Sequence, residues 1–189
     1  MKFVRNNLAN ILTMIRIIAI PITVICFYSS MEYARPIAAI VFAVAAITDM
    51  LDGYVARKLG QISKFGEFLD PVADKLMVAI CLVLLVQDDP RRMLTLVAMI
   101  IIGREIAISA LREWMAGLGS RSKVAVSMGG KVKTVLQMFG IGFLVYGRDL
   151  FGLKIYDIGF VLLLLAAGLT MWSMVVYLRA AWPAMSESE

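Results

Sequence analysis

This chain carries aspartates inside two otherwise apolar stretches, DMLDGYVAR at residues 49–57 and GEFLDPVAD at residues 66–74. A lone carboxylate at bilayer depth costs roughly 2.5–3.5 kcal/mol on insertion scales, so carboxylates that lie together there need a compensating positive charge. The four aspartates are Asp49, Asp52, Asp70 and Asp74. The sequence therefore predicts a cation site that is built from them.

The spacing of the aspartates indicates how they can share a cation. Residues three or four apart lie on the same face of an α-helix, so the two aspartates of each stretch point the same way. The polar segment RKLGQISK at residues 57–64 predicts a turn that folds the second helix back beside the first. We therefore expect the two pairs to face each other across a helix–helix seam.

The ligand chemistry narrows the choice of metal. Carboxylate oxygens suit hard ions such as Mg²⁺ or Mn²⁺, and two such ions commonly clamp a diphosphate or a transferring phosphoryl group. The chain contains no histidine, which argues against a Zn²⁺ or copper site. The alternative for each aspartate taken singly is a helix cap or an ion pair with Lys58 or Lys75.

Composition predicts an all-α, polytopic membrane protein with one domain over residues 1–189. Hydrophobic residues make up 61% of the chain and charged residues 17%, and the mean hydropathy is +0.84, which is too apolar for a soluble domain of this length. Six apolar runs are each long enough, at roughly 20 residues, to form a transmembrane helix. They cover residues 8–28, 34–56, 70–86, 93–114, 130–146 and 156–178.

Loop charges predict the orientation. Basic residues concentrate at the N-terminus, after the second run and between the fourth and fifth runs, which all lie on one side. The opposite side also carries Arg91 and Arg92, but Asp88 and Asp89 adjoin them. The positive-inside rule then places both termini and the aspartates toward the cytosol. The net charge of +5 fits anionic lipids and phosphates, and nothing in the pattern indicates nucleic-acid binding.

Polar residues recur at every third position of the first apolar run, at Asn10, Thr13 and Arg16. On a helix they form one polar stripe in an otherwise apolar segment. Two interpretations stay open: the stripe satisfies a structural neighbour, or it flanks a nucleotide site.

A second cluster is cationic and lies later in the chain. Arg104 sits in the middle of an apolar run, where an arginine without a partner is costly. Arg112, two turns on, falls near the same face, whereas Glu105 is adjacent in sequence and is expected to face another direction. Lys131 and Lys133 open the fifth helix, where lysines and backbone N–H groups together bind phosphate. The cluster predicts an anion site separate from the metal site.

The frame D-x-x-D-G-x-x-A-R, eight residues, G-x-x-x-D-x-x-x-D resembles the signature of the CDP-alcohol phosphotransferases, integral membrane enzymes that join a CDP-activated substrate to an alcohol. The residues that match its fixed positions are Asp49, Asp52, Gly53, Ala56, Arg57, Gly66, Asp70 and Asp74. The resemblance implies two Mg²⁺ or Mn²⁺ ions on the four aspartates. It also implies that Asp74 is the general base that deprotonates the attacking hydroxyl.

The resemblance further implies the substrates. The residues expected to contact CDP-diacylglycerol are Asn10, Thr13, Asp49, Asp52, Gly53, Ala56, Arg57 and Gly66. A cationic cluster would repel choline or ethanolamine, so a phosphorylated alcohol fits it better. The strings REI at residues 104–106, SALREW at 109–114 and KVKT at 131–134 resemble bacterial members that use sn-glycerol 3-phosphate. The residues expected to bind that acceptor are Arg104, Arg112, Lys131 and Lys133.

Several alternatives remain at this point. Within the family, cardiolipin synthase and phosphatidylinositol-phosphate synthase use related chemistry. Outside it, an ion-coupled transporter would also carry intramembrane acids, and a structural membrane scaffold would give no account of paired carboxylates. We expect a homodimer in a bacterial cytoplasmic (inner) membrane, surrounded by membrane lipids.

Overall fold

Six α-helices and no β-strand are found in the part of the chain that the structure describes. The structure is a computed structural model that describes the backbone of residues 8–59, 64–89, 91–117 and 128–186. It describes the side chains of residues 13–49, 69, 71–89, 91–115, 117, 132–179 and 182. The helices are α1 (Leu8–Tyr28), α2 (Ala34–Leu59), α3 (Lys64–Asp88), α4 (Arg92–Gly117), α5 (Met128–Tyr146) and α6 (Ile155–Ser186).

The helices follow the six predicted apolar runs in number and order, which confirms the all-α prediction. Their ends differ from the predicted ones, because α2 continues to Leu59 and α3 already begins at Lys64. Hydropathy detects only the apolar part of a helix. Helical hydrogen bonding also continues through polar turns at the ends, so the helices are longer than the apolar runs. The connection between the two helices therefore shortens to residues 60–63, which lie outside the described residues.

The outward surface of the bundle is strongly apolar. Trp172 on α6 is 72% exposed and Ile25 on α1 is 69% exposed. Two described segments, Arg92–Met115 and Ile155–Arg179, are long and apolar enough by themselves to cross a membrane. Two further described segments, Thr13–Tyr28 and Val132–Tyr146, are apolar but shorter. Because water would make such a surface unfavourable, a hydrocarbon environment accounts for it.

Helices α5 and α6 pack with almost no space between their backbones at one crossing. A Cβ built on Gly159 of α6 would lie 2.7 Å from the Phe143 Cβ and 2.9 Å from the Gly140 carbonyl oxygen of α5. A Cβ built on Gly140 would likewise lie 3.0 Å from the Leu163 nitrogen. The crossing therefore needs a glycine from each helix, as in small-residue contacts between membrane helices.

One end of the bundle is tied together by Arg35, in the first turn of α2. Its guanidinium donates to Asp88 at the end of α3 at 2.7 Å and lies 4.0 Å from the ring centroid of Phe27 on α1. It also donates to the carbonyls of Val145 at 2.9 Å and Leu144 at 3.2 Å, in the last turn of α5. The last carbonyls of a helix have no partner within it, so Arg35 stabilises this end while it joins four helices.

Arg91 and Asp89 form an ion pair at the same end of the bundle, at 2.7 Å. Burial alone would raise the pKa of Asp89, but hydrogen bonds from Arg91 and Tyr156 outweigh it and leave that pKa below its usual value. Asp89 therefore stays ionised and balances the charge of Arg91. Because Asp89 neutralises Arg91, this arginine adds little to the positive charge of its side of the membrane when the positive-inside rule is applied.

We predict that Gly159→Ala destabilises the protein by roughly 1–3 kcal/mol, the usual cost of forcing a methyl group into a packed contact. Thermal unfolding in detergent measures the effect. Gly168→Ala is the matched control, because that glycine is on the same helix and a Cβ there meets nothing within 4 Å. Equal stability of the two variants would show that the α5–α6 crossing relaxes without cost.

Candidate functional site

Asp49 of α2 and Asp74 of α3 meet at the guanidinium of Arg16, on α1. Arg16 Nη1 donates to Asp49 Oδ1 at 2.9 Å and also donates to Asp74 Oδ1. The Arg16 side chain is only 3% exposed, whereas each carboxylate is 35% exposed. Two of the four predicted aspartates, one from α2 and one from α3, are therefore brought together at a positive charge from α1, which packs against both helices.

The position of Arg16 follows from the buried face of α1. Buried residues recur on this helix at Thr13, Arg16, Ala19 and Thr23, with helical spacing. Helix α1 packs against both α2 and α3, so this face points into the seam that carries the aspartates. The predicted polar stripe of α1 is thus buried at Thr13 and Arg16, while the side chain of Asn10 lies outside the described residues.

A cavity borders the two carboxylates. Its walls include Arg16, Asp49 and Asp74, together with apolar side chains such as Ala45 of α2 and Met138 of α5. The carboxylates therefore face open space on one side and the buried guanidinium on the other. The cavity has room for about one water molecule, and core side chains such as Phe42 and Met77 also line it, so the accessibility of the carboxylates rests on their 35% exposure.

The donor set at this position fits a hard divalent cation. Arg16 Nη1 contacts Oδ1 of both carboxylates, and carboxylate oxygens are the ligands that such a cation prefers. The side chains that the structure describes include no group of three or more metal-binding residues. The remaining predicted ligands, Asp52 and Asp70, belong to α2 and α3, and their side chains lie outside the described ones.

Other predicted contacts also fall where side chains are not described. Their backbones belong to α2, α3 and α5. These residues are Gly53, Ala56, Arg57, Gly66 and Lys131.

The second cluster places Glu105 between two buried cations. Glu105 Oε1 accepts a hydrogen bond from Arg104 Nη1 at 2.8 Å and another from Lys133 Nζ of α5 at 3.1 Å. The side chains of Arg104 and Lys133 are 7% and 5% exposed. The expectation that Glu105 faces away from Arg104 is therefore wrong. Neighbouring Cβ atoms do diverge on a helix, but these two long side chains converge because both reach toward the interface of α4 with α5 and α6.

Tyr177 of α6 joins the two predicted arginines of α4. Its ring centroid lies 6.0 Å from the Arg104 guanidinium carbon and 5.4 Å from that of Arg112. Arg112 also donates to the Tyr177 hydroxyl at 3.2 Å, and Arg104 donates to the Ser173 hydroxyl at 3.3 Å. Arg104 and Arg112 thus share one face, as predicted. Sequence reasoning missed Ser173 and Tyr177, although two hydroxyls four residues apart on an apolar helix are the signal that could have revealed them.

A hydrogen-bonded link connects the acidic and basic clusters. Lys75, next to Asp74 on α3, donates to the Ser109 hydroxyl of α4, and that hydroxyl donates to the Glu105 carbonyl at 2.6 Å. Lys75 therefore pairs with Ser109 in the described contacts and not with an aspartate. The contact places Asp74 of α3 and Glu105 of α4 at a similar level along neighbouring helices.

This chain belongs to the CDP-alcohol phosphatidyltransferase family, whose model matches residues 6–176. Members of this family are enzymes that generally depend on divalent metals. Because the chain belongs to a family of enzymes, the interpretations as an ion-coupled transporter and as a structural scaffold are excluded. With the apolar outer surface of its helices, family membership makes the chain a membrane protein.

Close relatives are found in several bacteria. A Pseudomonas fluorescens protein named CDP-diacylglycerol--glycerol-3-phosphate 3-phosphatidyltransferase is 50% identical over 178 residues, which cover 94% of this chain and 91% of the relative. A Haemophilus influenzae protein of the same name is 50% identical over 181 residues, 96% of this chain and 95% of the relative. A Salmonella choleraesuis protein, also so named, is 47% identical over 175 residues, 93% of this chain and 94% of the relative.

Proposed function

We propose that this chain transfers the phosphatidyl group of CDP-diacylglycerol to the primary hydroxyl of sn-glycerol 3-phosphate. The products are phosphatidylglycerophosphate and CMP. The observation that carries the proposal is the cationic cluster of Arg104, Arg112 and Lys133, in which Arg104 and Lys133 are buried. This cluster is linked to an acidic pair that fits a divalent ion. The similarity to relatives named for this reaction, along nearly their whole length, supports it.

The charge of the cationic cluster supports a phosphorylated acceptor. Arg104, Arg112 and Lys133 carry three positive charges, and Glu105 supplies one negative charge. The excess of two positive charges matches a phosphate monoester dianion. Guanidinium and ammonium donors also form the strongest hydrogen bonds to phosphate oxygens. We assign Arg104, Arg112, Lys131 and Lys133 to the acceptor.

The acidic cluster is assigned to the diphosphate of CDP-diacylglycerol and to proton removal. Divalent ions held by Asp49, Asp52, Asp70 and Asp74 supply charge stabilisation at the diphosphate when they are bound. Asp74 then accepts the proton of the glycerol hydroxyl, whose oxygen attacks the phosphorus next to diacylglycerol while the bond to CMP breaks. Asp74 borders the cavity beside the ion pair, and its carboxylate is the group assigned to this proton.

The polar stripe of α1 and the small residues of α2 are assigned to the nucleotide lipid. Asn10 and Thr13 lie on the helix that carries Arg16, and Gly53, Ala56 and Arg57 follow Asp49 along α2. Small residues allow a ligand to approach the helix backbone closely, and the arginine matches a diphosphate. We assign Gly66 of α3 to the same site.

We also propose the setting of the enzyme. The six helices cross a bacterial cytoplasmic membrane, with the termini and the active site on the cytosolic side, and the protein is a homodimer. The basic residues on the side of the aspartates support this orientation, as does the neutral Arg91–Asp89 pair on the other side.

The proposed function is tested by CMP release from CDP-diacylglycerol with purified protein in detergent. We expect turnover with sn-glycerol 3-phosphate and only background release with inositol phosphate or phosphatidylglycerol. EDTA should stop the reaction, and Mg²⁺ or Mn²⁺ should restore it. Faster release with inositol phosphate would instead indicate a phosphatidylinositol-phosphate synthase, and with phosphatidylglycerol a cardiolipin synthase.

In the same assay, Arg104→Ala should raise the KM for sn-glycerol 3-phosphate far more than the KM for CDP-diacylglycerol. Losing one charge-assisted contact costs roughly 1.5–3 kcal/mol, which corresponds to about a 10- to 150-fold change. Lys131→Ala should act in the same direction. Arg92→Ala is the control, because this arginine is exposed at the start of the same helix. An equal rise for both substrates would move Arg104 out of the acceptor pocket.

Asp74→Asn separates proton removal from substrate binding. The variant should still bind CDP-diacylglycerol and metal, since three aspartates remain, while turnover falls by roughly 10²–10⁴-fold, the usual contribution of a general base. Calorimetry in detergent measures lipid-nucleotide affinity for this variant and for Asp70→Asn. If both lose binding equally, Asp74 is chiefly a metal ligand and another group removes the proton.

A further inference from the structure

We propose that Arg16 is a positioning residue for the metal site: an internal cation that holds Asp49 and Asp74 together until a divalent ion takes over their charge. The inference rests on the proposed function for the presence of that ion. It concerns a residue on α1, outside the aspartate stretches of α2 and α3 that form the predicted site.

The geometry places Arg16 where a bound cation would act. One nitrogen, Nη1, donates to a carboxylate from each of two helices, at 2.9 Å in the case of Asp49. The Arg16 side chain is almost completely buried, while each carboxylate is 35% exposed. Without this charge, two ionised carboxylates would face each other in an apolar bundle, where their repulsion is weakly screened.

A divalent ion changes this balance of charge. If Asp49 and Asp74 held a divalent ion, their negative charge would be balanced without Arg16, and the guanidinium that contacts both would lie beside a like charge. Arg16 therefore stabilises the ion-free state more than the ion-bound state. Because such coupling is reciprocal, removing the charge of Arg16 must increase the affinity of the site for the ion.

The alternative is that Arg16 only packs α1 against its neighbours. In that case its loss would lower stability by the same amount whether or not an ion is bound. A positioning role predicts that the loss of stability in an Arg16 variant depends on the ion, whereas a packing role predicts that it does not. Stability measurements can therefore distinguish the two roles without an activity assay.

The test compares the melting temperature of Arg16→Met with that of the wild type, in detergent, with EDTA or with saturating Mg²⁺ or Mn²⁺. Methionine keeps much of the volume of arginine and removes its charge. We expect Arg16→Met to melt well below the wild type in EDTA and to regain more than half of that difference when the ion is added. The Mn²⁺ affinity, measured from the EPR signal of the free ion, should rise by roughly 5-fold or more, a typical coupling between charged sites.

Arg104→Met is the matched control. Arg104 is also a buried arginine paired with a carboxylate on a membrane helix, but its described partners are Glu105, Ser173 and Tyr177 and not the aspartates. Its substitution should lower the melting temperature equally with and without the ion. Arg16→Gln, which keeps hydrogen-bonding capacity, repeats the comparison if Arg16→Met does not fold.

An equal loss of stability in EDTA and in Mg²⁺ for both uncharged variants of Arg16 would overturn the inference, as would unchanged Mn²⁺ affinity. An absence of any ion-dependent shift in the wild type would overturn it as well. The proposed function is decided separately by CMP release, so its failure is distinguishable from that of the role of Arg16.

Discussion

Charge inside an apolar helix bundle is stable only beside the opposite charge, and this constraint organises the interior of the protein. Arg16 lies between Asp49 and Asp74, and Glu105 lies between Arg104 and Lys133. In each cluster one side chain of opposite sign joins two groups from different helices. The clusters therefore connect helices as well as carrying chemistry, and α1, α2 and α3 share one of them while α4 and α5 share the other.

The two clusters divide the proposed reaction between them. The acidic one suits the diphosphate of a lipid nucleotide through divalent ions, and the basic one suits the phosphate of a small alcohol. The link from Lys75 through Ser109 to the Glu105 carbonyl fixes α3 against α4 between them. Tyr177 completes the basic side from α6, where its ring and hydroxyl hold Arg112 and its ring also faces Arg104.

The sequence predicted features that depend on neighbouring residues. The helices follow from runs of apolar residues, and the pairing of aspartates on one face follows from helical periodicity. The partners of the buried charges depend instead on how distant helices pack. Arg16 and Asp74 are 58 positions apart, and Arg104 and Ser173 are 69 apart. The direction of Glu105 was predicted wrongly for the same reason, since Lys133, which attracts its carboxylate, belongs to another helix.

Arg35 fixes one end of α2, and Asp49 lies 14 residues further along it, at a distance of about 21 Å for a rise of 1.5 Å per residue. A small rotation of the helix about this tied end would therefore displace Asp49 while the tied end stays in place. A tilt of about 2° at the tied end would move Asp49 by about 0.7 Å. A change of this size in the position of Asp49 would therefore require no rearrangement of the contacts that Arg35 makes at the far end of the bundle.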